Sequence, residues 1–190
     1  RSMARTALVT LLLSSSAVLT YIGYRALDLV PVPEAAQIVA ASEPVEMLPE
    51  FTLDNPDGER QSIGSWPGKA LIVNFWATWC FPCRMEIPDF IKLYDKYHDD
   101  GLEIIGVTID SGTPDVIASF AESWEMNYTV LTDIQGQETQ LITLQYGQAT
   151  GRPITGVPTT FIIDRDGYIV KMYIGPQSEK ILYRDLKPYI

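Results

Sequence analysis

The chain has 190 residues, with 14 Lys and Arg against 24 Asp and Glu, a formal net charge of −10. That balance, with no Lys/Arg cluster, excludes nucleic acid as a partner, because phosphates call for basic patches; 46% hydrophobic residues with 10 Tyr and 4 Trp supply a core and exclude wholesale disorder. Two cysteines and one histidine are too few for a structural zinc site of about four ligands or for a multi-disulfide scaffold, so no metal and no other cofactor is expected.

The charge is unevenly placed. Residues 1–44 hold Arg1, Arg5 and Arg25 against Asp28, Glu34 and Glu43, so the rest of the chain carries the whole −10. Thr6 to Tyr24 is free of charge, and at about 1.5 Å per residue it nearly matches a hydrocarbon core of ~30 Å. We therefore expect one transmembrane helix within residues 1–29, a signal anchor. Arg1 and Arg5 keep its N-terminus in the cytoplasm, and Tyr21 and Tyr24 lie at the outer interface. The alternatives are a buried core helix and a cleaved signal peptide, whose best cleavage site, Val39-Ala40-Ala41, lies far downstream; anchor and signal alike export the remainder of the chain. Residues 30–45, with Pro31, Pro33 and Pro44, read as a linker, and residues 46–190 as the exported domain.

In that domain, Phe51-Thr52-Leu53-Asp54 and Gln61-Ser62-Ile63 are expected as short strands around the turn Asn55-Pro56-Asp57-Gly58. Lys69 to Trp76 is a continuous apolar run that suits a strand buried on both faces. A helix should begin at Pro82, which lacks only an amide hydrogen that would be unpaired there. Ile87, Phe90, Ile91, Tyr94 and Tyr97 recur at helical spacing up to a stop at Asp99-Asp100-Gly101. Next come a second buried strand over Leu102–Asp110, a helix over Pro114–Glu125, a short strand at Val130-Leu131 and a helix over Gln137–Tyr146. Thr159–Ile163 and Tyr168–Ile174 flank Asp164-Arg165-Asp166-Gly167 as a hairpin, and Ser178 caps a last helix to Tyr189. This order implies an α/β domain of three layers, a mixed central sheet covered by helices.

Both cysteines fall in Trp79-Cys80-Phe81-Pro82-Cys83, between a buried strand and a helix. The first helical turn presents unpaired amide hydrogens and a partial positive charge, which stabilise a thiolate on Cys80; a free thiol has a pKa of about 8.5, and helix-start Cys-x-x-Cys sites lie well below it. Cys83, one turn on, can close a small reversible disulfide. Cys80 is thus the expected attacking thiol, exposed to its substrate, and Cys83 the resolving one. A disulfide that only braces the fold gains little from so short a loop, and the sole histidine, His98, falls at the far end of the helix as a solvated residue.

Phe75-Trp76-Ala77-Thr78-Trp79-Cys80-Phe81-Pro82-Cys83-Arg84-Met85-Glu86-Ile87-Pro88, with Gly156-Val157-Pro158-Thr159-Thr160-Phe161-Ile162-Ile163-Asp164 later, resembles the thioredoxin-fold proteins, and among them the membrane-anchored TlpA/ResA-type thiol–disulfide oxidoreductases. The resemblance covers about residues 46–190, and the segment between Glu125 and Gly151 occupies the place of that branch's insertion. It implies a thioredoxin-like three-layer sandwich in which Cys80 and Cys83 are the catalytic pair. Trp79 and Pro82 would support them, Pro158 would follow a cis bond, and the Val157 backbone would turn toward an incoming extended peptide. Pro88 matches the proline that kinks the active-site helix.

Glu86 matches the branch's acidic residue. It would accept the proton of Cys83 or hold the Cys80 pKa up by repulsion; the alternative is a helix-start glutamate favoured by the dipole. Three features depart from the family. Asn74 replaces the buried aspartate of ordinary thioredoxins, Phe81 is bulkier than the usual residue, and the run Gln148–Thr155 ahead of the proline loop is long. The implied activity is reduction of disulfides in exported proteins, such as apocytochrome c or copper-site proteins, with electrons from a membrane thiol transporter. A peroxidase of the same fold would carry Pro and Thr where this chain has Val73 and Ala77. A third reading makes the protein an accessory subunit of a larger membrane complex, resting only on the serines Ser14-Ser15-Ser16 of the anchor.

Overall fold

A computed structural model describes residues 47–134 and 136–190. The expected anchor within 1–29 and linker over 30–45 lie outside the described residues. Among the described residues no helix is long and apolar enough to cross a membrane.

The two runs of continuous apolar character form adjacent parallel strands, β3 (Ala70–Trp76) and β4 (Leu102–Thr108), every residue of which is buried. A strand of that kind needs cover on both faces, and the alternation of its side chains supplies two cores. Leu71, Val73 and Phe75 point to one side, with Ile105 and Val107 of β4; Ala70 and Ile72 point to the other, with Leu102 and Ile104. The sheet is completed by β5 (Thr129–Leu131), parallel to β4, and by β6 (Thr159–Ile163) and β7 (Ile169–Ile174), an antiparallel hairpin added at β3. The order is β5-β4-β3-β6-β7, a mixed sheet. A separate pair, β1 (Thr52–Asp54) and β2 (Arg60–Ser62), forms around the expected Asn55–Gly58 turn.

Helices cover both faces. On one lie α1 (Phe81–Tyr97), through Phe90 and Leu93, and α4 (Glu179–Leu186), through Leu182 and Leu186. On the same side α2 (Pro114–Ser123) packs Ile117 against Trp76 and Ile87. On the opposite face α3 (Glu138–Thr150) inserts Ile142 and Tyr146, joined by Phe51 and Leu53. Tyr146 is the anchor there: its ring meets Phe75 at 5.3 Å and Phe161 at 4.9 Å, both edge-on, contacts worth about 0.5–1.5 kcal/mol each beyond area burial. The three-layer α/β sandwich with a mixed sheet is therefore as expected.

Three local differences have physical reasons. The helix expected over 114–125 stops at Ser123, because Glu125 takes a left-handed φ of 53°. Helix α3 runs past Tyr146 to Thr150 and ends on Gly151 at φ 62°, so the first three residues of the long run Gln148–Thr155 are helical. Gly147 allows this, since a Cβ there would meet the Pro153 Cα at 3.3 Å. Ser178 holds the N-cap position of α4 but makes no side-chain capping bond. Gly106 of β4 also has a steric role: a Cβ would fall 2.8 Å from the Trp76 Nε1, so only glycine lets that indole lie down on the sheet beside the redox motif.

Candidate active site

Strand β3 delivers the chain to the turn Ala77-Thr78-Trp79, and Cys80 is the N-cap of α1. The turn is pinned from three directions. The Thr78 N–H donates to Ser111 Oγ at 3.1 Å and its hydroxyl to the Ser111 carbonyl at 3.2 Å. The Arg84 guanidinium reaches back to the Thr78 carbonyl at 2.7 Å, and the Trp79 indole N–H donates to the Asp110 carbonyl at 2.9 Å. Asp110 carries a left-handed φ of 44°, so this loop holds an uncommon backbone conformation beside the motif.

Cys80 and Cys83 are joined as a disulfide, and the Cys83 N–H donates to Cys80 Sγ at 3.2 Å. A first-turn amide thus already points at the sulfur that would carry the thiolate charge. Pro82 is the second residue of α1, where a missing N–H costs nothing, and α1 continues through Pro88 to Tyr97. The Val157–Pro158 bond is cis, and the Val157 carbonyl lies 3.7 Å from Cys80 Sγ. The Gly175 N–H fixes this loop by donating to the Pro158 carbonyl at 2.9 Å.

One expectation is corrected. Cys80 is not exposed: only 3% of it meets solvent, and 1% of Cys83. The sulfurs are roofed by the proline loop and flanked by apolar side chains, Trp79 at 60% and Phe81 at 71% exposure. The solvent-facing part of the site is this apolar rim, and beside it a hollow of about 300 Å³ opens between Trp79, Ile109, Ile154 and Val157.

Glu86 is the second departure from a surface reading. Three residues beyond Cys83 on α1, it is 2% exposed. Asn74 Nδ2 donates to its Oε1 at 2.9 Å and also to Thr160 Oγ1 at 2.9 Å, while the Gln177 N–H donates to Oε2 at 3.2 Å. Burial pushes the Glu86 carboxyl up to about 7; the Gln177 and Asn74 donors hold it down in part, and the charge of Asp89 adds to the rise. Glu86 lies beyond the first turn of α1 and is buried, so it is not the helix-start glutamate favoured by the dipole. Asn74, read from the sequence as a lost aspartate, is the group that holds Glu86. Thr160 and Gln177 gave no signal in the sequence, because Thr160 meets Asn74 through strand pairing and Gln177 meets Glu86 through the β7–α4 turn.

His98 is the C-cap of α1, its ring tilted against that of Tyr94 with centroids 4.5 Å apart and its Nδ1 3.9 Å from Glu103. It lies at the opposite end of the helix from the disulfide. Among the described residues no cluster of His, Cys, Asp and Glu could hold a metal ion.

This geometry agrees with the relatives of the chain. Residues 44–172 match the family model described as AhpC/TSA. The thiol–disulfide oxidoreductase ResA of Bacillus anthracis is 34% identical over 139 residues, 73% of this chain and 74% of that protein. The thioredoxin-like protein YneN of Bacillus subtilis is 30% identical over 143 residues, 74% of this chain and 77% of that protein. Among solved structures, a thiol:disulfide interchange protein of the thioredoxin family from Chlorobium tepidum TLS superposes with a TM-score of 0.68 at 30% identity, covering 79% of this chain and 99% of the other. A buried dithiol at a helix start, a cis-proline loop against it and this set of relatives lead to one assignment: the chain belongs to the AhpC/TSA family, as a thioredoxin-fold thiol–disulfide oxidoreductase related to ResA.

Proposed function

We propose that Cys80 and Cys83 are the working dithiol, and that the protein reduces disulfides of exported proteins on the outer side of a membrane to which residues 1–29 anchor it. The observation that carries the reading is Cys80 Sγ, held as the N-cap of α1 against the Cys83 amide and beneath the Val157–Pro158 loop.

The cycle starts from the reduced pair. The Cys80 thiolate, favoured by the unpaired amides of the helix start, attacks one sulfur of a substrate disulfide. A mixed disulfide forms and the other substrate sulfur leaves as a thiolate, which takes a proton. The Cys83 thiol then loses its proton and attacks Cys80 Sγ, which closes the Cys80–Cys83 bond and releases the second substrate thiol. The substrate gains two electrons and two protons, and the protein ends oxidised, the state of the structure.

Glu86, one helical turn from Cys83 and half-protonated near neutral pH, is the acceptor for the proton of Cys83. The Val157 main chain lies along the incoming peptide, and Trp79 and Phe81 supply the apolar rim that desolvates it. Renewal requires a thiol donor; outside the cytoplasm this is a membrane thiol transporter, and apocytochrome c and copper-site proteins are the proposed substrates.

Insulin reduction coupled to dithiothreitol tests the chemistry. Turnover by the full chain should vanish in Cys80→Ser, and turnover that survives would overturn the assignment. Cys83→Ser, expressed in the native cells, should accumulate a mixed disulfide between Cys80 and its substrate, whose identity then settles the substrate class.

A further inference from the structure

Beyond Val157 the wall of the site continues away from the disulfide. The hollow beside Trp79 shares Thr143 and Ile154 with a second one of about 280 Å³, which is floored by Leu144, Gly147 and Pro153. Gly147 builds it, because the absence of a Cβ lets α3 close on Pro153. Leu144 points out at 62% exposure with Leu141 beside it. Residues 139–151 carry no charged side chain, so the α3 side of both hollows is uncharged and suits an apolar group, with Arg152 and Asp110 at the margins.

The strip that joins the two hollows, Ile154 to Val157, is partly exposed and has main-chain groups without partners among the described residues. Among the described residues, none hydrogen-bonds the N–H or C=O of Ile154 or Thr155, or the N–H of Val157. Such a strip can pair with an extended polypeptide, and side chains of that polypeptide at every second position then face the same side. Pro153 precedes Val157 by four residues, a reach of at most about 14 Å. A substrate cysteine set at Cys80 therefore brings its neighbour two positions away over the first hollow, and the neighbour four positions away over the second.

We propose that the Leu144–Pro153–Ile154 hollow is a distinct specificity subsite, which takes an uncharged aliphatic or aromatic side chain of an extended polypeptide substrate about four residues from the cysteine attacked by Cys80. The proposal rests on Cys80 being the attacking thiol. It is continuous with the redox centre through Ile154 and Val157, and it makes the segment Gln148–Thr155 a reader of sequence.

The test uses the full chain, reduced with dithiothreitol, and synthetic peptides whose single cysteine is linked to glutathione. Leu, Ser or Glu is placed four residues before or four residues after that cysteine. Peptides with Leu should be reduced with kcat/KM on the order of tenfold above those with Ser at one of the two positions, and Glu should be worst. Leu144→Glu should bring the Leu-to-Ser ratio close to one, and Leu144→Met should keep it; because the side chain is mostly exposed, both variants fold. Equal rates for Leu and Ser peptides at both positions, or a preference that survives Leu144→Glu, would overturn the subsite. Hydroxyethyl disulfide, which has no side chain to reach the hollow, checks the foundation separately: failure of the unsubstituted chain to reduce it would overturn the assignment of Cys80 itself.

Discussion

A carboxyl with 2% exposure and no ion-pair partner among the described residues is held by hydrogen bonds alone, and Glu86 has donors on both oxygens. Those bonds favour the charged form while burial opposes it more strongly, which leaves the carboxyl at about 7. When it is charged, a thiolate at the start of the same helix forms against like-charge repulsion. Glu86→Gln removes that opposition and keeps an oxygen for one of the two donors, Asn74 or Gln177, while its NH2 faces the other. The midpoint of Cys80 alkylation in the reduced protein should therefore move down by roughly one pH unit; an unmoved midpoint in an iodoacetamide pH series would show that Glu86 does not act on Cys80 by repulsion. At this scale the sequence was most informative where the chemistry is contiguous. Cys80 and Cys83 were legible because one helix start explains both. The hold of Asn74 on Glu86 was not, since it depends on β3 packing on α1, and the Gln177 contact spans 91 positions. The burial of Cys80 was missed for the same reason, because the roof over it comes from residues near 157.

The element that walls the hollow beside the redox motif is α3, and its placement comes from its two ends. Its formal N-cap, Gln137, makes no capping bond. The work is done from outside the helix by Asp133, whose Oδ2 accepts the Thr139 N–H at 3.1 Å and whose Oδ1 accepts the Gly136 N–H at 2.5 Å. The Arg60–Glu138 ion pair at 2.5 Å adds a tie to β2, but both side chains are partly exposed, and such pairs contribute about 0–1 kcal/mol. A charge-bearing cap contributes more, so Asp133→Ala should destabilise by about 1 kcal/mol and lower the melting temperature by about 3 °C for a chain of this size. The loss should be local. Hydrogen exchange should quicken in the first turn of α3 and stay unchanged in β3, and uniform quickening in both would show that Asp133 is not a cap. The helix itself was legible only as an expectation over Gln137–Tyr146. Its length and its cap were not, because Gly147 and Asp133 act through contacts with Pro153 and Thr139 that no local pattern displays.

For the whole molecule, the three-layer sandwich was legible because buried strands, helix starts and turns each follow from local chemistry, and the chain rules that join a strand, helix and strand leave few topologies. The place of β5 at the far edge and the pairing of β6 with β3 needed the structure. Two carboxyls, Asp185 and Glu86, set how stability depends on pH. Asp185, bonded by Arg184 and Tyr173, is held well below the usual aspartate range, so its contribution is present above that range and is lost as pH falls through it. Glu86 acts in the opposite sense. Its ordinary value is 4.5 and its folded value about 7. Between these the unfolded chain has released the proton that the folded chain still holds, and stability falls as pH rises. Over that window the loss is about 3 kcal/mol, and self-repulsion in a chain of net charge −10 adds to it. The oxidised protein should therefore be most stable at weakly acidic pH, near the ordinary glutamate value, and lose stability toward neutrality. Urea unfolding between pH 4.5 and pH 8 measures this, and Glu86→Gln separates the two causes. The variant keeps the surface charge but lacks the buried titration, so its stability should fall much less across the window. If the two proteins instead lose stability in parallel, net charge alone governs the profile and the Glu86 carboxyl is already ionised where it lies.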